Sequence, residues 1–165
     1  MLPKIRIAFE RLLEVVVLLL MALLATVVIS GVLFRKFGAP LVWYDEVASI
    51  LLAWLTYYGA CLAALRRAHI AYPGFIESIR PSHRWPLIVI REIVVIGFFA
   101  VAAWAGWKVL LVLDRYYLTS LPWVPRQLTE SVIPITAVLF IVAELLTVPD
   151  MIREGRPFSE GERLQ

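Results

Sequence analysis

The chain has 165 residues, 61% of them hydrophobic, and a formal charge of +3. A soluble domain is usually about half apolar, and one of this size has no interior for the surplus, so membrane residence is the default. The small positive charge does not speak for nucleic acid, because the basic residues sit at the edges of apolar blocks.

The N-terminal arm, Lys4 to Glu14, repeats with helical spacing. Ile5, Phe9, Leu12 and Leu13 share one face, and Arg6, Glu10 and Glu14 another. Such an arm is expected to run along the cytoplasmic surface before turning into a crossing. Val15–Phe34 is the first apolar block. A crossing of hydrocarbon about 30 Å thick takes roughly 17–25 residues, and this block suffices. It is longer than the apolar core of a cleaved signal, roughly 7–15 residues, and Arg35-Lys36 follows it directly. It reads as a retained first helix.

After the short turn "RKFGAPLVWY" comes the second block, Val47–Leu65, led in by Trp43, Tyr44, Asp45 and Glu46 and closed by Arg66-Arg67. Acids in a first turn and bases past a last turn both complement the helix dipole. Trp43 and Tyr44 stand where an aromatic interfacial anchor belongs. Arg35, across the turn, either pairs with Asp45 and Glu46 to join the first two helices or is simply solvated at the interface. The lone Cys61 lies inside this block and has no second cysteine for an internal disulfide.

The connection "YPGFIESIRPSHRWP" is bounded by Pro73, Pro81 and Pro86, and its Phe75/Ile76/Ile79 patch suggests a brief interfacial helix. The third block, Leu87–Leu113, is entered by Arg91 and Glu92. Lys108, near its far end, either snorkels to the interface or meets Asp45 or Glu46. In the loop "DRYYLTSLPWVPRQLTES", Pro122 and Pro125 break any continuous helix, and Tyr116, Tyr117 and Trp123 suit an interface. The fourth block, Val132–Val148, has Pro134 near its start and Glu144 about 18 Å down the helix at 1.5 Å per residue. The tail "REGRPFSEGERLQ" is polar, and disorder is expected there.

The expected fold class is therefore an all-α integral membrane protein with four transmembrane helices, at about 12–35, 45–66, 85–115 and 130–149, and short interfacial amphipathic helices. They form one membrane domain over 1–152, followed by a polar cytoplasmic tail, 153–165. The arm, the second connection and the tail together hold 11 basic residues, against five on the other side. The rich side is cytoplasmic by the positive-inside rule, which puts both termini inside.

Chemistry has no evident home in this sequence. His69 and His83 both fall in a connection, not on facing helices where imidazoles could hold haem. No zinc-ligand spacing, phosphate loop or nucleophile-base pair appears, so neither enzyme nor cofactor is expected. An acid within a membrane helix is by default a coupling-site hypothesis, so Glu144 is a candidate. Its depth, and that of Arg91, equally suits a structural Arg91–Glu144 pair near the inner leaflet. Small residues recur four apart at Ala22/Thr26/Ser30, Gly59/Ala63, Ala60/Ala64 and Ala102/Gly106, and such rows let helix backbones approach in lipid.

The region Arg35–Ile70, with its Arg-Lys-Phe-Gly turn, Trp43, the acid pair Asp45-Glu46, Trp54, Gly59-Ala60, Arg66 and His69-Ile70, resembles the DctQ-type small membrane (Q) subunit of tripartite ATP-independent periplasmic (TRAP) transporters. The plan of four helices and the "LPW" of Leu121–Trp123 resemble it too. The family usually has Glu-Glu after the Trp, and Asp45 is a charge-preserving departure. The resemblance implies two partners: a large permease (M) subunit of about twelve helices that binds substrate and sodium, and a periplasmic substrate-binding protein delivering a carboxylate such as a dicarboxylate or a sialic acid. It also implies a bacterial or archaeal inner membrane and a scaffold role beside an elevator-type transport domain. In that setting Arg35, Asp45 and Glu46 would organise the outer helix ends and contact the binding protein. Arg66, Arg67 and Arg91 would hold the inner face, with membrane lipid phosphates, and Glu144 would stabilise packing. The alternatives are a self-sufficient homo-oligomeric transporter using Glu144 for ion coupling, and a membrane anchor for a redox enzyme.

Overall fold

The computed structural model describes residues 2–66 and 81–154, with side chains over 5–66 and 89–147. Helix α1 spans Leu2–Lys36, α2 Tyr44–Leu65 and α3 Pro81–Val112. A 3-10 turn, Leu113–Arg115, ends α3; a short helix α4, Arg126–Glu130, then leads into α5, Val132–Glu154. Four stretches are long and apolar enough to cross a membrane: Ile5–Lys36, Tyr44–Leu65, Val89–Arg115 and Arg126–Thr147. A membrane-spanning segment must pair its own backbone groups, and among the described residues helices do so, with one isolated antiparallel bridge between Tyr117 and Pro125. The expected interfacial patch at Phe75, Ile76 and Ile79, the tail beyond Glu154, and Arg67 and His69 lie outside the described residues.

Two sequence expectations need correction. The arm does not turn before the first crossing, because α1 runs unbroken from Leu2 to Lys36. No Gly or Pro lies between Pro3 and Gly31, and Glu10 and Glu14 face α2, so nothing breaks the i→i−4 ladder where the arm meets the apolar block. Likewise α3 begins at Pro81 and continues through Pro86. A proline this near a helix start forfeits about one backbone bond, so it need not end the helix.

The end of α1 is set by Gly38, whose φ of +77° is the left-handed conformation that a Cβ disfavours. The Ala39 amide donates to the Phe34 carbonyl at 3.0 Å and the Gly38 amide to Arg35 at 3.2 Å. This is the Schellman arrangement that satisfies the last carbonyls of a helix.

The helices adjoin in the order α1, α2, α5, α3. One end of this row, the terminal end, holds the start of α1 and the finish of α5; the other is the loop end. The core lies toward the terminal end, where Leu13, Cys61, Ala64, Leu65, Phe140 and Ala143 are buried together. Phe99 of α3 stacks on Phe140 of α5, with ring centroids 3.8 Å apart. The flanking helices leave broad apolar faces exposed, including Leu18, Leu19 and Ile29 on α1 and Val94, Phe98 and Trp104 on α3.

Helix contacts in lipid rest on close fit, since lipid tails are as apolar as the helices themselves. Two glycines supply that fit. A Cβ on Gly31 would lie 2.3 Å from the Tyr44 ring, and one on Gly106 would lie 2.9 Å from Pro134 Cδ. Gly106, of the Ala102/Gly106 row, is thus a true helix contact. Ala22 and Thr26 are instead exposed, and a Cβ on Gly59 would meet nothing within 4 Å. Hence Gly106→Leu should destabilise by about 1–3 kcal/mol through overpacking, whereas Gly59→Leu should gain up to about 1 kcal/mol from helix propensity. Thermal melts of the two variants in detergent check this; equal losses would mean that α3 and α5 do not meet at Gly106.

Candidate functional site

At the loop end, Glu46 forms a clasp. It sits in the first turn of α2, and one carboxylate oxygen accepts from the Ser120 amide at 2.8 Å and from the Ser120 hydroxyl. The other accepts from the Thr119 amide at 3.2 Å. The captured segment is the tip of a tight loop. Its sides are closed by the Leu118 amide donating to Val124 at 3.1 Å and the Arg126 amide to Tyr116 at 2.8 Å. Leu118 is buried beneath it. A carboxylate with three donors is a charge-assisted anchor, and here it ties α2 to the α3–α4 connection.

Two further bonds hold the start of the last helices. Trp54 Nε1 donates to the Thr129 carbonyl at 2.9 Å. Gln127 Nε2 donates to the Leu110 carbonyl at 3.0 Å and to Asp114 Oδ1 at 3.1 Å. Together with Glu46 these bonds fix α4 and its loop to both α2 and α3.

At the terminal end, Arg66 reaches back to α1. Its Nε meets Glu10 Oε1 at 2.8 Å, and a terminal guanidinium nitrogen, Nη2, meets Glu14 Oε2 at 3.2 Å. The two acids are one turn apart, so both can face one guanidinium. The hydrogen bond that Arg66 donates to Glu10, then that to Glu14, raises the already high arginine pKa, and the group stays charged. Arg6 adds a bond to the Leu65 carbonyl at 3.3 Å, satisfying the last turn of α2. Between α3 and α5, Arg91 lies 3.3 Å from Glu92 and 4.0 Å from Glu144. Both acids are buried, at 8% and 4% exposed. Thr147 donates to the Glu144 carbonyl at 2.8 Å, closing the turn below it.

The sequence candidates thus fall in different places. Arg66, Arg91, Glu46 and Glu144 join helices. Asp45 and Arg35 are exposed, and among the described residues no ion pair links Arg35 to Asp45 or Glu46. Glu46 is engaged by the loop instead, and Lys108 turns to Trp104, its ammonium 5.9 Å from the ring centre. Trp43 is the residue that precedes α2, partly buried and with no side-chain cap bond. Ser120, Gln127 and Gly31 escaped the sequence reading, and Trp54 entered it only through the family resemblance, with no contact foreseen. Among the described residues no group of three His, Cys, Asp or Glu side chains gathers to hold a metal.

The fold and its polar contacts define a multi-pass membrane component whose polar side chains serve to join helices. The sequence profile described as "Tripartite ATP-independent periplasmic transporters, DctQ component" matches residues 24–154. The chain therefore belongs to the DctQ family: it is a TRAP transporter small subunit, and not an enzyme. No curated protein matches it individually. The family functions with a large permease and a binding protein.

Glu46→Ala should release the Thr119–Ser120 tip, speeding protease cleavage within 117–124 several-fold, because cleavage of a folded loop tracks its open population. Asp45→Ala should leave the rate unchanged. Equal effects at the two positions would mean that the clasp does not hold the loop.

Proposed function

We propose that this subunit is a rigid brace for the large permease in sodium-driven, binding-protein-dependent uptake of an organic acid across a prokaryotic inner membrane. The observation that carries the proposal is that neighbouring helices are tied near both ends of the row. Arg66 with Glu10 and Glu14 ties α1 to α2 at the terminal end, and Arg91 lies between α3 and α5. Glu46, Trp54 and Gln127 tie the loop end. A transport element needs a part with two arrangements, and a scaffold needs none. The tied row is suited to the second role.

In this proposal the terminal end is cytoplasmic, as the excess of basic residues there suggests. Asp45 and Arg35, exposed at the loop end, would then face the incoming binding protein from the periplasm. Arg67 would meet lipid phosphates at the cytoplasmic face. The substrate, a carboxylate such as a dicarboxylate or a sialic acid, would be selected by the partners. The chain alone in liposomes should accordingly take up nothing, and should support uptake once joined by the permease, the binding protein and a sodium gradient. Uptake by the isolated chain would overturn the proposal. The double substitution Asp45→Ala with Glu46→Ala should weaken assembly or uptake without changing which solute is chosen, as competition assays would read; a changed preference would place this chain at the substrate.

The burial of Glu144 beside Arg91 is suited to packing and gives a coupling ion no open approach. Glu144→Gln in the assembled transporter should therefore keep the dependence of uptake on the ion gradient. Loss of that dependence would favour Glu144 as a coupling carboxylate.

A further inference from the structure

Lys108 is the one charged side chain on the outward face of α3 between Val94 and Leu111. The helix turns Glu92, Phe99 and Gly106 toward α5, where Phe99 stacks and Gly106 meets Pro134. Gly97, Val101, Trp104 and Lys108, at spacings of three and four, line the opposite face and are all exposed. Lys108 lies seven residues before Arg115, where the 27-residue apolar span ends, about 10 Å along the helix and so near the edge of hydrocarbon about 30 Å thick.

Its side chain does not shorten that distance. Helical side chains lean toward the N-terminus of their own helix, which for α3 is away from the loop end. The ammonium sits over Trp104, one turn deeper. A cation–π contact offsets only part of the cost of an ammonium in hydrocarbon. Among the described residues no ion pair involves Lys108. On the same face Gly97 leaves open space, with nothing within 4 Å of where a Cβ would be. A helix surface left bare at Gly97, an aromatic anchor and an uncompensated cation in line suit a helix, since a small residue admits a close backbone and an exposed aromatic supplies contact area.

We infer that this face of α3 docks a transmembrane helix of the large permease subunit that presents a carboxylate to Lys108. The inference rests on the subunit role proposed above and adds the face used and the chemistry of the contact. Charge complementarity selects the occupant: an all-apolar helix would leave Lys108 as it is, and a second copy of this face would oppose lysine to lysine.

The test is co-purification of the permease with the tagged chain in mild detergent, comparing Lys108→Glu, Lys108→Arg and Gly97→Leu with Ala22→Leu on the exposed face of α1. Each variant chain is first checked for an unchanged elution profile and melting temperature. Lys108→Glu should lower the permease recovered by about tenfold or more, the loss expected when two like charges meet in hydrocarbon. Gly97→Leu should lower it by filling the contact; Lys108→Arg and Ala22→Leu should not. Replacing the matching permease carboxylate with lysine should restore recovery with Lys108→Glu. Should Lys108→Glu fail to fold, Gly97→Leu decides alone. Full recovery with Gly97→Leu and Lys108→Glu would overturn the inference, and if an anionic phospholipid were then lost in its place, Lys108 would belong to the lipid. Failure of the wild-type chain to bring the permease at all would instead count against the bracing role proposed above.

Discussion

Helices that share a hydrocarbon solvent gain nothing from hiding apolar surface from one another, so their association must come from close fit and from polar groups that have no water to turn to. Both sources are visible here, and they are placed at different depths. Close fit occupies the apolar stretches, where Gly106 admits Pro134 and Phe99 stacks on Phe140. Polar ties occupy the ends, where Glu46 holds Ser120 and Arg66 holds Glu10 and Glu14. Hydroxyls in between are satisfied within their own helix, as Thr26 is by Ala22 and Thr56 by Leu52, each at 2.8 Å. The apolar remainder is free to face lipid or a partner.

This division explains what the sequence disclosed. The four spans were legible because apolar blocks of crossing length leave little choice of structure, and the Ala102/Gly106 row was legible because small residues repeat along one face. Arg91 and Glu144 could be proposed as neighbours because both sit at similar depth. Gly31 was not legible, since its contact is with one ring across a turn and the residues four away on its helix are Val27 and Arg35. Nor was the Glu46 clasp: its partners lie 73 and 74 residues away, and a first-turn acid is already accounted for by the helix dipole. Local pattern therefore offered the nearer partner, Arg35, and folding chose a more distant one that brings backbone donors.

The continuity of α1 has the same kind of cause. Its first turns alternate apolar and charged faces, which suits an interfacial helix equally well. What distinguishes the two is that Glu10 and Glu14 find Arg66 on α2, a pairing across 52 to 56 residues that periodicity cannot display. Membership in the DctQ family then gives these ties a setting. In the proposed role a small subunit beside the permease is useful if it keeps its own shape, and a row tied near both ends suits that role.

The most direct test of that claim is a distance measured while the transporter works. Spin labels at Phe37, beyond α1, and at Val112, at the end of α3, are both on exposed positions and span the row at the loop end. In the assembled transporter, pulsed dipolar spectroscopy should return one unchanged distance distribution with and without substrate, sodium and binding protein. A second population, or a shift of several ångströms on adding substrate and sodium, would show that this subunit moves with the transport cycle and is not a brace.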